Sequence, residues 1–359
     1  MTGDLLSLIW SSPARFPQFT LHEWETVLGQ ALLARLSGRL AHYLQDQGWL
    51  EKVPLQPRQY LEGALRLIDR QHHEVQWEVD CIRRALKDLD VPFVLLKGAG
   101  YLIAGLPPSR GRLFSDIDIM VEHEHLKDVE AALFRHGWIS EERDPYNDRY
   151  YREWMHEIPP MKHVERHTVI DVHHTITPPT SRFKVPGDKL FERIVTADTE
   201  ARLFVLAPVD MVLHSSVHLF QEGEFSHGLR DLLDIRDLLV FFSDKVAFWP
   251  GLFSRAHELG LGEPLFHALH HVERLFGPIV PADYLSSVQD IGPEWASRFV
   301  LSRSFSLALK PHHPSCDSLP GDFARWFLYM RSHYLRMPMY LVVPHLMRKA
   351  IMRHFPENK

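Results

Sequence analysis

The sequence predicts an α+β protein: a small mixed sheet with helices, embedded between an N-terminal and a C-terminal helical region. Three observations carry this. Residues 1 to about 90 repeat apolar positions at three- and four-residue steps, the period of a helix face. From Val91 the pattern changes to short apolar runs separated by glycine- and proline-bearing breaks. From about Ala207 the helical pattern returns, most clearly in PVDMVLHSSVHLF and HGLRDLLDIRDLLVFF. The expected organisation is therefore a helical region over 1–90, an α/β core over 91–200 and a helical region over 201–359.

In the first region, TLHEWETVLGQALLARLSGRLAHYLQDQG places Thr20 as an N-cap with Glu23 three residues later, a capping-box spacing. After the break KVPLQP a long helical run ends at Asp90, before Pro92. VPFVLL then suits a buried strand, GAGYLIAGL a short helix and PPSRGR a loop. FSDIDIMVE reads as a second strand, and HEHLKDVEAALFRHGW as a helix ended by Gly137. MHEIPPMKHV and HTVIDVHHTI are further strands, with Glu165-Arg166 as the turn of a hairpin.

Bulk properties narrow the function classes. The chain has 359 residues, is 45% hydrophobic and 24% charged, and carries a net charge of −6, so no global field draws nucleic acid. Cys81 and Cys316 cannot form a disulfide framework and fit a reducing, cytoplasmic setting. The opening stretch MTGDLLSLIWSSPARF lacks a basic leader region, and no apolar window approaches a membrane span. The C-terminus is locally basic, with Arg331, Arg336, Arg348, Lys349, Arg353 and Lys359 against Glu357. A terminal helix that packs its apolar side on the body and solvates its charges accounts for this better than membrane contact, because Pro338 and Pro344 interrupt an amphipathic helix.

The chemistry concentrates in the α/β island. Side chains two apart share a strand face, so Ile117, Ile119 and Val121 take one side of FSDIDIMVE and Asp116 and Asp118 the other. Two neighbouring carboxylates repel, and a divalent cation removes the conflict. A solvated edge strand is the competing explanation, although aspartate is disfavoured in strands. In HTVIDVHH a third acid, Asp171, shares a face with Val169 and His173. If the two strands are neighbours, three carboxylates converge, the arrangement of two-metal phosphoryl or nucleotidyl transfer. Upstream, Lys97-Gly98-Ala99-Gly100 follows a strand and opens a helix, where glycines allow close approach of a phosphate and lysine adds charge.

Together LLKGAGYL, the loop bearing Arg110 and Arg112, SDIDIMV and VIDVHH resemble the nucleotidyltransferase superfamily with the DNA polymerase β-like fold. The chain is most similar to the bacterial group of uncharacterised nucleotidyltransferase family proteins. The resemblance implies a polymerase β-like core in which Asp116, Asp118 and Asp171 bind Mg²⁺ (or Mn²⁺). It further implies that Lys97, Gly98 and Arg112 face the triphosphate of an NTP, with Ser115 immediately before the acid pair. One departure is Ala99, where smaller members of the superfamily carry serine after the glycine. His173, on the face of Asp171, is placed to touch substrate or orient a carboxylate.

The expected reaction is NMP transfer from an NTP to a small molecule, peptide or protein, with pyrophosphate released. A D-x-D glycosyltransferase using a nucleotide sugar explains Asp116 and Asp118 equally, but does not require Lys97-Gly98 or Asp171. A non-catalytic nucleotide-binding module is the third class. In the C-terminal region His214 and His218 lie one helical turn apart, as do Arg230 and Asp234; a half-buried face and a solvated or ion-paired face explain them. His312, His313 and Cys316 lack a fourth zinc ligand at the usual spacing.

Overall fold

The structure, a computed structural model, describes residues 3–198 and 202–354. The capping box forms as its spacing predicts: Glu23 accepts from the Thr20 N–H at 2.8 Å and Thr20 Oγ1 from the Glu23 N–H at 3.3 Å. The helical run behind it is not continuous. It divides into Leu21–Leu33 and Ser37–Asp46 at Arg35, which has φ 54°. The Leu36 N–H returns to the Ala31 carbonyl, a Schellman closure that reverses the chain. The two pieces thus bury Trp24, Val27, Leu40 and Leu44 in one cluster with Leu229 and Leu233 of the Gly228–Phe242 helix. The long helix runs Leu55–Leu86 and the chain turns at Asp90 (φ 49°).

Seven strands follow: β1 (Val94–Leu95), β2 (Ile117–Met120), β3 (Trp138–Ser140), β4 (Met161–His163), β5 (Val169–His173), β6 (Val195–Asp198) and β7 (Leu203–Val205). Their order is β3-β4-β5-β2-β1-β7-β6. The β2–β5 and β1–β7 pairs are parallel and the rest antiparallel, so the sheet is mixed as expected. The hairpin turning at Glu165-Arg166 is present, pairing Met161 with Ile170 and Lys162 with Val169. Its first strand is shorter than the run MHEIPPMKHV, because Pro159 and Pro160 have no N–H to give a ladder.

Strands β3, β6 and β7 were outside the sequence expectation. Trp138 belongs to β3 rather than to the helix Leu126–Arg135, since Gly137 (φ 95°) ends the helix before it. The boundary expected at residue 200 lies outside the described residues, between two strands that pair with each other, and β7 carries the sheet to Val205. One apolar cluster joins the strands to the C-terminal helices, through Ile119, Val172, Val205, Val212 and Leu238.

The terminal helix Met339–His354 buries Val342, in part as expected. Met339, Tyr340, Val343 and Met347 are exposed, and the exposed Arg348 reaches Asp144 (2.6 Å) and the Tyr146 ring. Lys359 lies outside the described residues. Among the described residues no helix is long and apolar enough to cross a membrane.

The arginine loop is held by a close backbone crossing. Gly111 has φ 75°, and a Cβ there would lie 2.6 Å from backbone atoms of Gly38 and Arg39. Gly111→Ala should therefore combine left-handed strain with overpacking and lower stability by about 2–4 kcal/mol. Urea unfolding of the two proteins measures this.

Candidate active site

Strands β2 and β5 are parallel neighbours in a register that sets Asp118 opposite Asp171 and Met120 opposite His173. The adjacency on which the three-carboxylate reading depends is thus present. Ile117, Ile119, Ile170 and Val172 are buried behind the acids, so a one-residue slip of either strand would expose that layer. Asp116 stands just before β2, exposed, with its Oδ1 accepting from Ser115 Oγ at 2.9 Å. Asp116, Asp118, Asp171 and His173 line one cavity of about 820 Å³ together with Lys97, Gly98, Arg112 and Ser115.

The electrostatics of the acids diverge. Burial opposes ionisation of Asp118, but a hydrogen bond from His173 Nε2 (3.2 Å) and the charge of Lys97 hold it well below the usual carboxylate range. Asp171 is pushed up to about 7, first by burial and then by the charges of Asp118 and Glu157. Its Oδ1 is buried without a hydrogen-bond partner. Crowded carboxylate oxygens with an unsatisfied buried atom fit a hard divalent cation such as Mg²⁺ or Mn²⁺.

Lys97 follows β1 with φ 40°, a conformation costly for a side chain other than glycine. The adjoining Leu96 N–H is held by the Asp118 carbonyl at 2.9 Å, which ties this turn to the acid strand. Gly98 is required by packing: a Cβ would lie 2.7 Å from the Phe114 ring of the arginine loop.

Arg112 does not point free into the cavity. Its guanidinium pairs with buried Asp234, and burial, then Arg230, lowers it to about 10. Asp234 also faces Arg39, which donates to the Pro108 and Arg110 carbonyls at 2.8 and 3.2 Å and pairs with Asp237. Arg230 pairs with its neighbour Asp231 (2.7 Å) and Asp234 with Arg112, so this helix face is ion-paired, with partners other than each other. His214 is buried, while His218 lines the cavity and meets Glu222 at 2.9 Å.

A scan against family models matches residues 20–277 to the family described as "Uncharacterised nucleotidyltransferase". The chain belongs to this family. Searches of curated proteins and of solved structures find no match. The motif-bearing segments of this nucleotidyltransferase family member, 94–121 and 168–174, both lie inside the matched span.

Several residues of the candidate site were missed in the sequence. His156 and Glu157 flank His173, whose Nδ1 lies 3.3 Å from Glu157 Oε2 and whose ring stacks on that of His156. Arg35, Tyr150, Tyr151 and Tyr329 line the same cavity. Tyr150 and Tyr151 are presented by a π-helical turn over Tyr150–Trp154. MHEIPP, an acid between a histidine and an apolar break, carries a visible signal; Tyr150 and Tyr151 come from the turn just before it, and Arg35 and Tyr329 from distant parts of the chain.

Asp171 also makes a pH prediction. Its folded value lies above the ordinary 3.8, so in cation-free protein the stability tied to it is lost as pH rises from about 4 to about 7. Asp171→Asn removes that loss. Urea unfolding in chelator should show the stability difference moving in the variant's favour across this window and levelling above it. A difference independent of pH would contradict the assignment.

Proposed function

We propose that the protein is a divalent-metal-dependent nucleotidyltransferase that moves an NMP group from an NTP to an acceptor hydroxyl or other nucleophile. The observation that carries this reading is Asp118 opposite Asp171 on the cavity face of two parallel strands, with Asp116 beside them. Asp116, Asp118 and Asp171 would hold Mg²⁺ or Mn²⁺, which when bound neutralises the acids and the phosphates and polarises the α-phosphate.

The chain's own groups supply positioning and proton transfer. In the proposed step the acceptor oxygen forms a bond to the α-phosphorus, the bond from that phosphorus to the bridging oxygen of the β-phosphate breaks, and pyrophosphate leaves. Asp171, with one buried oxygen unpaired, takes the acceptor proton. Lys97 places a cation beside Asp118 and on the cavity wall, where the β- and γ-phosphates need charge. Gly98 lets the arginine loop close against that turn. Arg112, engaged by Asp234, holds the loop in position and adds field at the wall rather than a free guanidinium. The tyrosines of the π-helical turn offer aromatic surface for a base or an acceptor.

A D-x-D glycosyltransferase has no need of Asp171 opposite Asp118, and the family membership favours an NTP donor. Four α-labelled NTPs, with Mg²⁺ or Mn²⁺ and a lysate as acceptor source, test the reading. Label transfer is expected, abolished by chelator and reduced at least about 10²–10³-fold by Asp118→Asn. Lys97→Ala should act chiefly on the KM for NTP. Metal-dependent NTP binding without pyrophosphate release would support a binding module instead, and transfer only from a nucleotide sugar would support the glycosyltransferase.

A further inference from the structure

Two imidazoles and a carboxylate meet on the cavity wall beside the aspartates. The segment after the π-helical turn runs along β5: the His174 N–H donates to the His156 carbonyl at 2.9 Å and the Ile158 N–H to the Val172 carbonyl at 3.0 Å. Glu157 bridges to His173 between them. A ring nitrogen of His156, a carboxylate oxygen of Glu157 and a ring nitrogen of His173 consequently lie within 4.8 Å of one another.

The hydrogen bonding of His173 decides which of its nitrogens is available. Nε2 lies 3.2 Å from Asp118 Oδ1, and a carboxylate can only accept, so Nε2 carries the proton. In the neutral ring Nδ1 then presents a lone pair toward Glu157 Oε2, 3.3 Å away. Two acceptors at that separation repel unless a proton or a cation lies between them. Nδ1 of His156 is likewise buried and without a hydrogen-bond partner, on a residue only 8% exposed. Buried polar atoms left unsatisfied in this way are costly without a partner.

We propose that His156, Glu157 and His173 bind a borderline divalent cation, Zn²⁺ above all, at a site separate from the all-oxygen aspartates. Two imidazoles and one carboxylate suit Zn²⁺, whereas Mg²⁺ keeps to oxygen ligands. Three protein ligands leave a fourth position, and all three residues line the cavity, so that position is reached from it. His173 links the two centres: Nδ1 on the cation, Nε2–H on Asp118. A carboxylate behind a ligating histidine fixes its tautomer and ring orientation. The cation would in turn hold the carboxylate of Asp118 in place. This site rests on its own donors and does not depend on the nucleotidyl-transfer reading.

The test uses the full chain, stripped with chelator and titrated with Zn²⁺ in excess Mg²⁺ and without nucleotide. Elemental analysis gives the stoichiometry and X-ray absorption fine structure the ligands. One Zn²⁺ per chain is expected, with imidazole scattering, and Mg²⁺ should not displace it. Glu157→Gln, which keeps the side-chain volume, should weaken binding by at least about 10–100-fold, as should His156→Gln. Asp116→Asn, outside the donor set, should retain it. No stoichiometric Zn²⁺, binding without imidazole scattering, displacement by Mg²⁺, or affinity unchanged in both ligand variants would each overturn the proposal. Absence of Zn²⁺ would leave a proton on His173 between the two carboxylates.

Discussion

Two carboxylates facing each other across adjacent parallel strands are an electrostatic liability, and the surroundings of Asp118 and Asp171 are arranged around it. The register that creates the pair is set on the opposite side of the sheet, where Ile117, Ile119, Ile170 and Val172 are buried. Hydrophobic burial therefore holds the acids together against their repulsion. The compensation is uneven. Asp118 has Lys97 and the His173 hydrogen bond, while Asp171 has a buried oxygen with no hydrogen-bond partner. That asymmetry suits one acid to remain an anion and the other to exchange a proton.

The helical regions complete the wall rather than merely flank it. Asp234, on a C-terminal helix, gathers Arg112 of the loop and Arg39 of the N-terminal region into one buried ion cluster. Arg39 also ties down the loop through its carbonyls, and Gly38 packs against Gly111. Residues from all three parts of the chain thereby set the position of the loop before the acid pair. Removing one member of such a buried cluster leaves its partner charge unpaired, which is costly.

What could be read in the sequence was local. Alternation placed Asp116 and Asp118 on one strand face and Asp171 with His173 on another, and spacing gave the capping box and the β4–β5 hairpin. Each depends on residues within a few positions of one another. The partner of Arg112 was not legible, because Asp234 lies more than a hundred residues away and its burial is a tertiary fact. Glu157 and His156 join the site only because their segment pairs with β5 after two prolines have ended its regular strand. Strands β3 and β7 carry only three residues each, and β6 is largely exposed, so none shows the alternation of a half-buried strand.

The proposed function brings a metal and the reacting phosphate together on the face shared by Asp118 and Asp171. A crystal of the protein grown with Mn²⁺ and a non-hydrolysable NTP analogue, with anomalous scattering measured for manganese, tests it most directly. The expected result is manganese bound by Asp118 with Asp116 or Asp171 and in contact with a nucleotide phosphate, with Lys97 on the triphosphate. Manganese absent from these acids, or a nucleotide seated away from them, would contradict it.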